Sequence, residues 1–151
     1  MVEIAKRFFL GVDPGLSGGF GLVPQWGDPS AAIAFKQQQT ERDIADFFET
    51  WADSIIFAMI EKVHSMPKQG VASSFKFGMS YGFLRGLLIG FKIPFEEVTP
   101  QRWQKRLQCF THGDKRISKA RAQQMWPELK ITHSTADALL ISEYCRQEKE
   151  F

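Results

Sequence analysis

The apolar run SIIFAMIE at residues 54–61 is continuous and ends in a carboxylate. A run of this length is typical of a strand that is buried on both faces. Other strand-like segments occur at residues 7–13, 20–23, 31–36 and 94–99, and helix-like segments at 41–53, 71–92, 100–107, 115–126 and 133–149. The order of these segments predicts a single α/β domain, residues 1–151, with a mixed five-stranded sheet flanked by helices.

Composition fits a folded domain but does not select a partner. The chain has 151 residues, of which 44% are hydrophobic and 24% charged, and its net charge is +2. The distribution of charge is therefore more informative, and basic residues are concentrated between Gln104 and His133. Cys109 and Cys145 lie far apart, which favours free thiols in a reducing compartment. Because no stretch reaches the ~18 apolar residues of a membrane span, we expect a cytoplasmic protein without a membrane partner.

Four glycines recur at every fourth position of the longest predicted helix, namely Gly78, Gly82, Gly86 and Gly90. Each costs ~1 kcal/mol of helix propensity relative to alanine. Small residues at this spacing allow a backbone to approach another element closely. The pattern favours close packing on the sheet or on a neighbouring helix; contact with a partner subunit or a phosphate backbone is the alternative.

Three carboxylates occupy unusual positions. Asp13 follows the buried strand FFLGV, and Glu61 ends the apolar run. Asp137 adjoins the apolar face of the last predicted helix, and His133 lies one turn earlier on the same side. If the two strands are neighbours, both of their acids lie at the same sheet edge, and the last helix can bring Asp137 and His133 to it.

Carboxylates that converge in this way need a cation, since they cannot all remain ionised side by side. Two Mg²⁺ or Mn²⁺ ions ~4 Å apart would remove the repulsion and could support phosphoryl displacement. Simpler interpretations remain open for each residue. Asp13 can serve as a turn residue before Pro14, Glu61 and Asp137 can be solvated, and His133 can lack a role.

The chain resembles the RuvC-type Holliday-junction resolvases of the ribonuclease H-like superfamily, in a phage-type or chloroplast-type variant. The matching segments are LGVDPGLSGGFG, FAMIEKVHS, SYGFLRGLLIG, EEVTPQRWQK and HSTADALLISEY, which together span nearly the whole chain. The resemblance implies a homodimer that uses two Mg²⁺ or Mn²⁺ ions per active site. It also implies that the substrate is four-way branched DNA, cut by paired symmetric nicks that leave 5′-phosphate and 3′-hydroxyl ends.

The resemblance also assigns roles to individual residues. Asp13, Glu61 and Asp137 match the acids of the family. Its fourth ligand is usually an acid three residues before the last one, where this chain has Ser134; His133 is similar to the histidine of chloroplast-type relatives. The implied catalytic and metal-binding set is therefore Asp13, Glu61, His133 and Asp137. Lys119 is similar to a catalytic basic residue that faces DNA, and Lys115 is a competitor for this role.

Aromatic and basic residues near the predicted site form a candidate DNA surface. Relatives carry an aromatic wedge three residues after the glutamate, where this chain has His64; base stacking could pass to His64, Phe75 or Phe77. The predicted DNA-binding residues are Lys62, His64, Lys68, Phe75, Phe77, Lys105, Lys115 and Lys119.

The combined prediction is a junction-resolving, metal-dependent endonuclease. A related nuclease of the same fold that acts on other branched DNA, flaps or RNA is the alternative. Two further hypotheses belong to other classes. GVDPGLSGG resembles the phosphate hairpin of sugar kinases and actin-like ATPases, but a nucleotide-binding module of that kind needs two such domains and a longer chain. A non-catalytic junction-binding protein is disfavoured because all three carboxylates are present.

Overall fold

The computed structural model describes residues 5–26, 29–37, 40–62 and 70–149. These residues form five strands and five α-helices in the predicted order. The strands are β1 (Phe8–Asp13), β2 (Gly19–Pro24), β3 (Ala31–Ala34), β4 (Ile55–Glu61) and β5 (Phe95–Val98). The α-helices are α1 (Glu41–Trp51), α2 (Val71–Gly90), α3 (Pro100–Arg106), α4 (Lys115–Met125) and α5 (His133–Lys149).

The five strands form one mixed sheet in the order β3-β2-β1-β4-β5. The first three strands form an antiparallel meander, in which β1 pairs with β2 and β2 with β3. β4 joins the other side of β1 in parallel, and β5 joins β4 in parallel. The predicted mixed α/β sheet is therefore confirmed.

Helices cover both faces of the sheet, so the core has two halves. On one face Leu10 and Val12 of β1 pack in a cluster with residues of α1 and α2. On the other face Phe9 packs with residues of α3, α4 and α5. Because side chains alternate along a strand, Asp13 of β1 and Glu61 of β4 lie on the α5 side.

Helix α5 is seated unusually close to the sheet. Gly11 and Gly21 face each other across β1 and β2. A Cβ atom on Gly11 would collide with the Ala138 carbonyl and the Ser142 amide, and one on Gly21 would lie 2.5 Å from the Ala138 oxygen. The two glycines therefore remove the side chains that would otherwise hold α5 away from the sheet. We call this pair the glycine seat.

The glycines of α2 have a different environment from the one we predicted. All four are exposed, and a Cβ atom at any of Gly78, Gly82, Gly86 and Gly90 would meet nothing within 4 Å. The prediction of close packing on the sheet or on a neighbouring helix is wrong for the described part of the chain. Helix α2 packs on the sheet through its opposite side, where Leu84 and Leu88 are buried.

Local details agree with the sequence with small shifts. Thr40 caps α1: its Oγ1 accepts a hydrogen bond from the Asp43 amide at 3.2 Å, and the Thr40 amide donates to Asp43 Oδ2 at 2.9 Å. β3 ends at Ala34, earlier than predicted, because residues 35–37 form a 3₁₀ helix.

Cys109 and Cys145 are both buried free thiols. None of the helices in the described ranges combines the length and apolar character needed to cross a bilayer.

Candidate active site

Two of the predicted acids lie side by side at the carboxyl ends of two inner strands of the sheet. β1 and β4 are parallel neighbours, and their register pairs Val12 with Ile60. Asp13 and Glu61 follow this pair directly, so both carboxylates emerge at the carboxyl ends of the strands. Parallel pairing thus brings together two acids that are 48 positions apart in the sequence.

Helix α5 supplies the third acid. It packs across β1, β2 and β4, and Asp137 precedes Ala138, the residue that rests on the glycine seat. Asp13, Glu61 and Asp137 line one cleft of about 480 Å³. The other polar or charged side chains of its lining are Ser17, Ser73, Lys76, Ser80, Gln104, Thr111, Lys115 and Ser118. The predicted convergence of the three acids is therefore present in the structure, whereas His133 is not among the residues of the lining.

The first two acids are held in an environment that disfavours their charged forms. Burial raises the pKa of Asp13 well above its ordinary value, and the charges of Glu61 and Asp137 raise it further. Burial is also the main cause that raises the pKa of Glu61 to about 7, and the charge of Asp137 adds to it. Both carboxylates therefore bind a proton, or another positive charge, more readily than exposed acids do.

Asp137 shows the same tendency, with partial compensation. Burial raises its pKa, while hydrogen bonding from Ser118 and the positive charges of Lys115 and His133 act in the opposite direction. Lys115 also lowers the pKa values of Asp13 and Glu61. It is thus a cation that acts on all three acids.

The two candidate lysines lie in different places. Lys115 is the first residue of α4 and lines the cleft. Lys119 lies one turn further along α4, is half-buried, and is not among the described residues of the cleft lining. The start of α4 is fixed by Asp114, whose side chain accepts from the Arg116 amide at 3.0 Å. The helix start therefore presents Lys115 to the acids.

Trp103 is a residue of the site that sequence reasoning missed. Its indole Nε1 donates a hydrogen bond to Glu61 Oε2 at 2.8 Å, and its side chain is fully buried. The sequence does contain a signal for it. WQK follows the strand EEVT by one helical turn, and that strand can pair beside the one ending in Glu61. Ser118 was also missed, because serine in a basic helix has no distinctive pattern.

The loop between β1 and β2 forms another wall of the cleft and is tied to α2. The Gly15 amide donates to Ser80 Oγ at 3.3 Å. Gly15 has φ +106°, and a Cβ atom there would lie 3.2 Å from the Phe77 ring. Glycine is favoured at this position for both reasons. The loop thereby places Leu16, which is 77% exposed, at the rim of the cleft.

The three carboxylates are suitable ligands for hard divalent cations, but they are not arranged as a complete coordination site. Within the described ranges, no three His, Cys, Asp or Glu side chains stand in a ready metal-binding arrangement. His133 is exposed at the first position of α5 and lies outside the cleft lining, so the predicted four-ligand set is not assembled. Mg²⁺ usually keeps several waters and uses one or two carboxylates together with substrate phosphates. The oxygen-only donor set of the cleft fits that mode of binding.

The predicted DNA-binding residues are spread around the cleft. Phe77 and Lys115 line it, and Phe75 is 68% exposed on the same helix as Phe77. Lys62 is exposed directly after Glu61. Lys105 lies 5.6 Å from the centre of the Phe110 ring, outside the described cleft lining. His64 and Lys68 fall outside the described residues.

Comparisons with known proteins show that solved structures share this fold. No protein-family model matches the chain, and no curated protein matches it in sequence. Its structure is similar to RuvC of Thermus thermophilus, with a TM-score of 0.62 and 16% identity over 94% of this chain and 97% of that one. It is equally similar to T. thermophilus RuvC in complex with a Holliday junction substrate, with a TM-score of 0.62 and 15% identity over 93% and 96% of the two chains.

A third solved structure is more distant. The yeast mitochondrial Holliday junction resolvase Ydc2 has a TM-score of 0.51 and 14% identity over 98% of this chain and 86% of its own. At these identities the likeness establishes the fold. The chain therefore has the ribonuclease H-like fold of the RuvC-type proteins, as its sequence predicted.

Proposed function

We propose that this protein is a structure-selective endonuclease that resolves four-way DNA junctions by paired symmetric nicks, through two-metal-ion hydrolysis of phosphodiester bonds. The observation that carries the proposal is the convergence of Asp13, Glu61 and Asp137 in one cleft. The neighbours with this fold include a RuvC structure in complex with a Holliday junction substrate.

The metal proposal depends on the charge of the cleft. Asp13, Glu61 and Asp137 would hold Mg²⁺ or Mn²⁺, because burial and mutual repulsion leave these carboxylates in need of positive charge. When bound, a pair of such ions activates water and stabilises the attacking and leaving oxygens of an in-line displacement. His133, one helical turn before Asp137, is the proposed fourth ligand, and it would have to move into the cleft as a neutral imidazole to bind metal.

Other residues of the cleft have roles that follow from their positions. Lys115 is exposed and lines the cleft that holds the acids, where its ammonium group can attract the phosphate of the strand to be cut. Lys76 of α2 contributes a second positive charge to the lining. The ring of Phe77 packs under the Gly15 loop and offers an apolar surface beside the cleft. Together these residues would draw a DNA backbone across the acids.

The decisive test is a cleavage assay with Asp13→Asn. The wild-type protein is incubated with Mg²⁺ or Mn²⁺ and either a labelled four-way junction or a linear duplex of the same sequence. We expect paired nicks on the junction, and we expect Asp13→Asn to bind the junction without cutting it. Asp46→Asn is the matched control, because Asp46 is an exposed acid on α1, a helix on the opposite face of the sheet.

Two outcomes would contradict the proposal. Full activity in Asp13→Asn would remove this residue from the active site. Equal cutting of junction and duplex, or preferential cutting of flaps or RNA, would retain the nuclease but reject junction selectivity.

The choice between the two lysines can be tested separately. We expect Lys115→Met to reduce the cleavage rate at saturating DNA by at least about tenfold, because it removes a charge at the reacting phosphate. Lys119→Met should chiefly weaken DNA binding. It should also reduce the slope of log affinity against log salt concentration by about one, the effect of losing one phosphate contact. A reversal of these effects would assign the catalytic role to Lys119.

We propose a homodimer as the active form, since paired symmetric nicks require two equivalent active sites and a four-way junction has two-fold symmetry. Sedimentation equilibrium with and without a junction measures the mass directly. A monomer in both conditions that still makes paired nicks would contradict this part of the proposal.

A further inference from the structure

Trp103 is placed beside Glu61 by the parallel pairing of β4 and β5. The register of these strands pairs Glu61 with Val98. Helix α3 begins two residues later at Pro100, so its first turn lies against the end of β4. The Trp103 amide bonds to the Thr99 carbonyl at 3.4 Å, which anchors this turn to the end of β5. The position of the indole is therefore set by the sheet.

The hydrogen bond from the indole restricts how the Glu61 carboxylate can turn. Trp103 is fully buried in the core on the α5 side, and its Nε1 lies 2.8 Å from Glu61 Oε2. An indole N–H can only donate, and a buried donor requires an acceptor. Rotation of the carboxylate would leave that donor unpaired. With Oε2 engaged by the indole, Oε1 is the carboxylate oxygen left to serve the cleft that Glu61 lines.

We propose that Trp103 is a positioning residue whose indole N–H holds the Glu61 carboxylate in the orientation that receives a divalent cation. This inference rests on the proposed function, because it assumes that the acids bind metal. Hydrogen-bond donors that orient metal ligands typically change metal affinity by about 10–100-fold when removed. The same range is expected here.

Trp103→Phe tests the proposal because it keeps an aromatic ring in the core and removes the N–H. The chain offers a matched control in Trp126→Phe. Trp126 belongs to the same core cluster, and its Nε1 donates to Ser30 Oγ at 3.1 Å, away from the acids. Each substitution therefore deletes one indole hydrogen bond from the same half of the core.

The primary measurement is Mn²⁺ binding without DNA, followed by the electron paramagnetic resonance signal of free Mn²⁺. We expect about 10–100-fold weaker binding for Trp103→Phe and wild-type binding for Trp126→Phe. Thermal unfolding of both variants reports their loss of stability. Wild-type Mn²⁺ affinity in folded Trp103→Phe would overturn the proposal.

A measurement on the unmodified chain covers the case in which Trp103→Phe does not fold. In a Mg²⁺ titration followed by ¹⁵N NMR, the indole resonance of Trp103 should shift, while that of Trp126 should not. An unchanged Trp103 resonance at saturating Mg²⁺ would overturn the proposal.

The design separates this inference from the proposed function. If wild type and Asp13→Asn bind Mn²⁺ equally poorly, the metal site itself is absent. If wild type binds and Asp13→Asn does not, while Trp103→Phe binds as wild type, only the role of Trp103 fails.

Discussion

The two sets of glycines in this protein have opposite surroundings. A side chain on Gly11 or Gly21 of the glycine seat would collide with the backbone of α5, whereas a side chain on any of the four α2 glycines would meet open space. The seat sits beneath the helix that carries Asp137. The α2 glycines lie on an exposed helix face.

The difference shows that a repeated residue is not by itself a sign of close packing. In the seat, the missing side chains set the distance between the sheet and α5, and therefore the position of Asp137 relative to Asp13. In α2, each glycine costs helix propensity, and no described residue nearby gains from it. The evenly spaced glycines of α2 are easier to see in the sequence. The two glycines of the glycine seat are less conspicuous, but they determine the geometry of the site.

Gly11→Ala should have the largest effect. Its methyl group would be forced against the Ala138 carbonyl and the Ser142 amide, and backbone cannot move aside as a flexible side chain can. We expect the free energy of unfolding to fall by at least about 3 kcal/mol. Urea denaturation measures it. A loss below about 1 kcal/mol would show that α5 can shift away from the sheet at little cost.

Asp137→Asn tests the electrostatic consequence of seating α5 so closely. Burial raises the pKa of Asp137, so the folded state binds its proton more tightly than the unfolded chain does. This tighter proton binding stabilises the folded state at low pH. The stabilisation is lost as pH rises through the pKa of Asp137 in the folded state. We therefore expect Asp137→Asn, without metal, to be more stable than wild type at pH 7.

That gain should vanish below the pKa of Asp137 in the unfolded chain, where wild type is also neutral. Thermal unfolding of both proteins across this pH range checks the sign. A variant that is less stable than wild type at pH 7 would indicate that the surrounding cations already compensate the carboxylate. Cleavage should be lost in either case if Asp137 holds metal.

Gly86→Ala should stabilise the protein. Alanine fits the open face of α2 and improves helix propensity by about 1 kcal/mol. Urea denaturation of the variant, run beside Gly11→Ala, would give effects of opposite sign. A loss of stability that depends on protein concentration would instead show that a second copy packs on this face, which is the alternative that the sequence left open.

Lys92→Gly should have the smallest effect. Helix α2 ends in a motif in which the Ile93 amide bonds to the Leu88 carbonyl at 3.0 Å and the Lys92 amide to the Ile89 carbonyl at 3.1 Å. Lys92 occupies the position with φ 59°, which glycine normally takes. We expect a gain of about 0.5 kcal/mol, because relief of backbone strain outweighs the greater freedom of the unfolded chain. An unchanged melting temperature would show that the two terms cancel.

Much of the fold was predictable because its signals are local. The apolar run before Glu61 predicted a strand buried on both faces, and β4 lies between β1 and β5 with helices on both faces of the sheet. The helix-like segment at residues 41–53 predicted α1, which begins at Glu41. The three acids were recognised because each interrupts or adjoins an apolar pattern, where a charge has an evident cost.

Other features of the site depend on contacts between distant segments. The choice of Lys115 over Lys119 at the cleft depends on where α4 begins relative to the acids. The bond from Trp103 to Glu61 spans 42 positions of the chain. His133 was grouped with Asp137 by helical spacing, but its place at the very start of α5 leaves it exposed.

The sequence alone determined the order of strands and helices and the identity of the three acids, because periodicity and the cost of burying charge act over a few neighbouring residues. Only the tertiary structure decided how closely α5 approaches the sheet, which lysine faces the acids, and which donor holds Glu61. These distances depend on packing between segments that are far apart in the chain. At Gly11, the absence of a side chain allows the backbone of α5 to lie directly on the sheet.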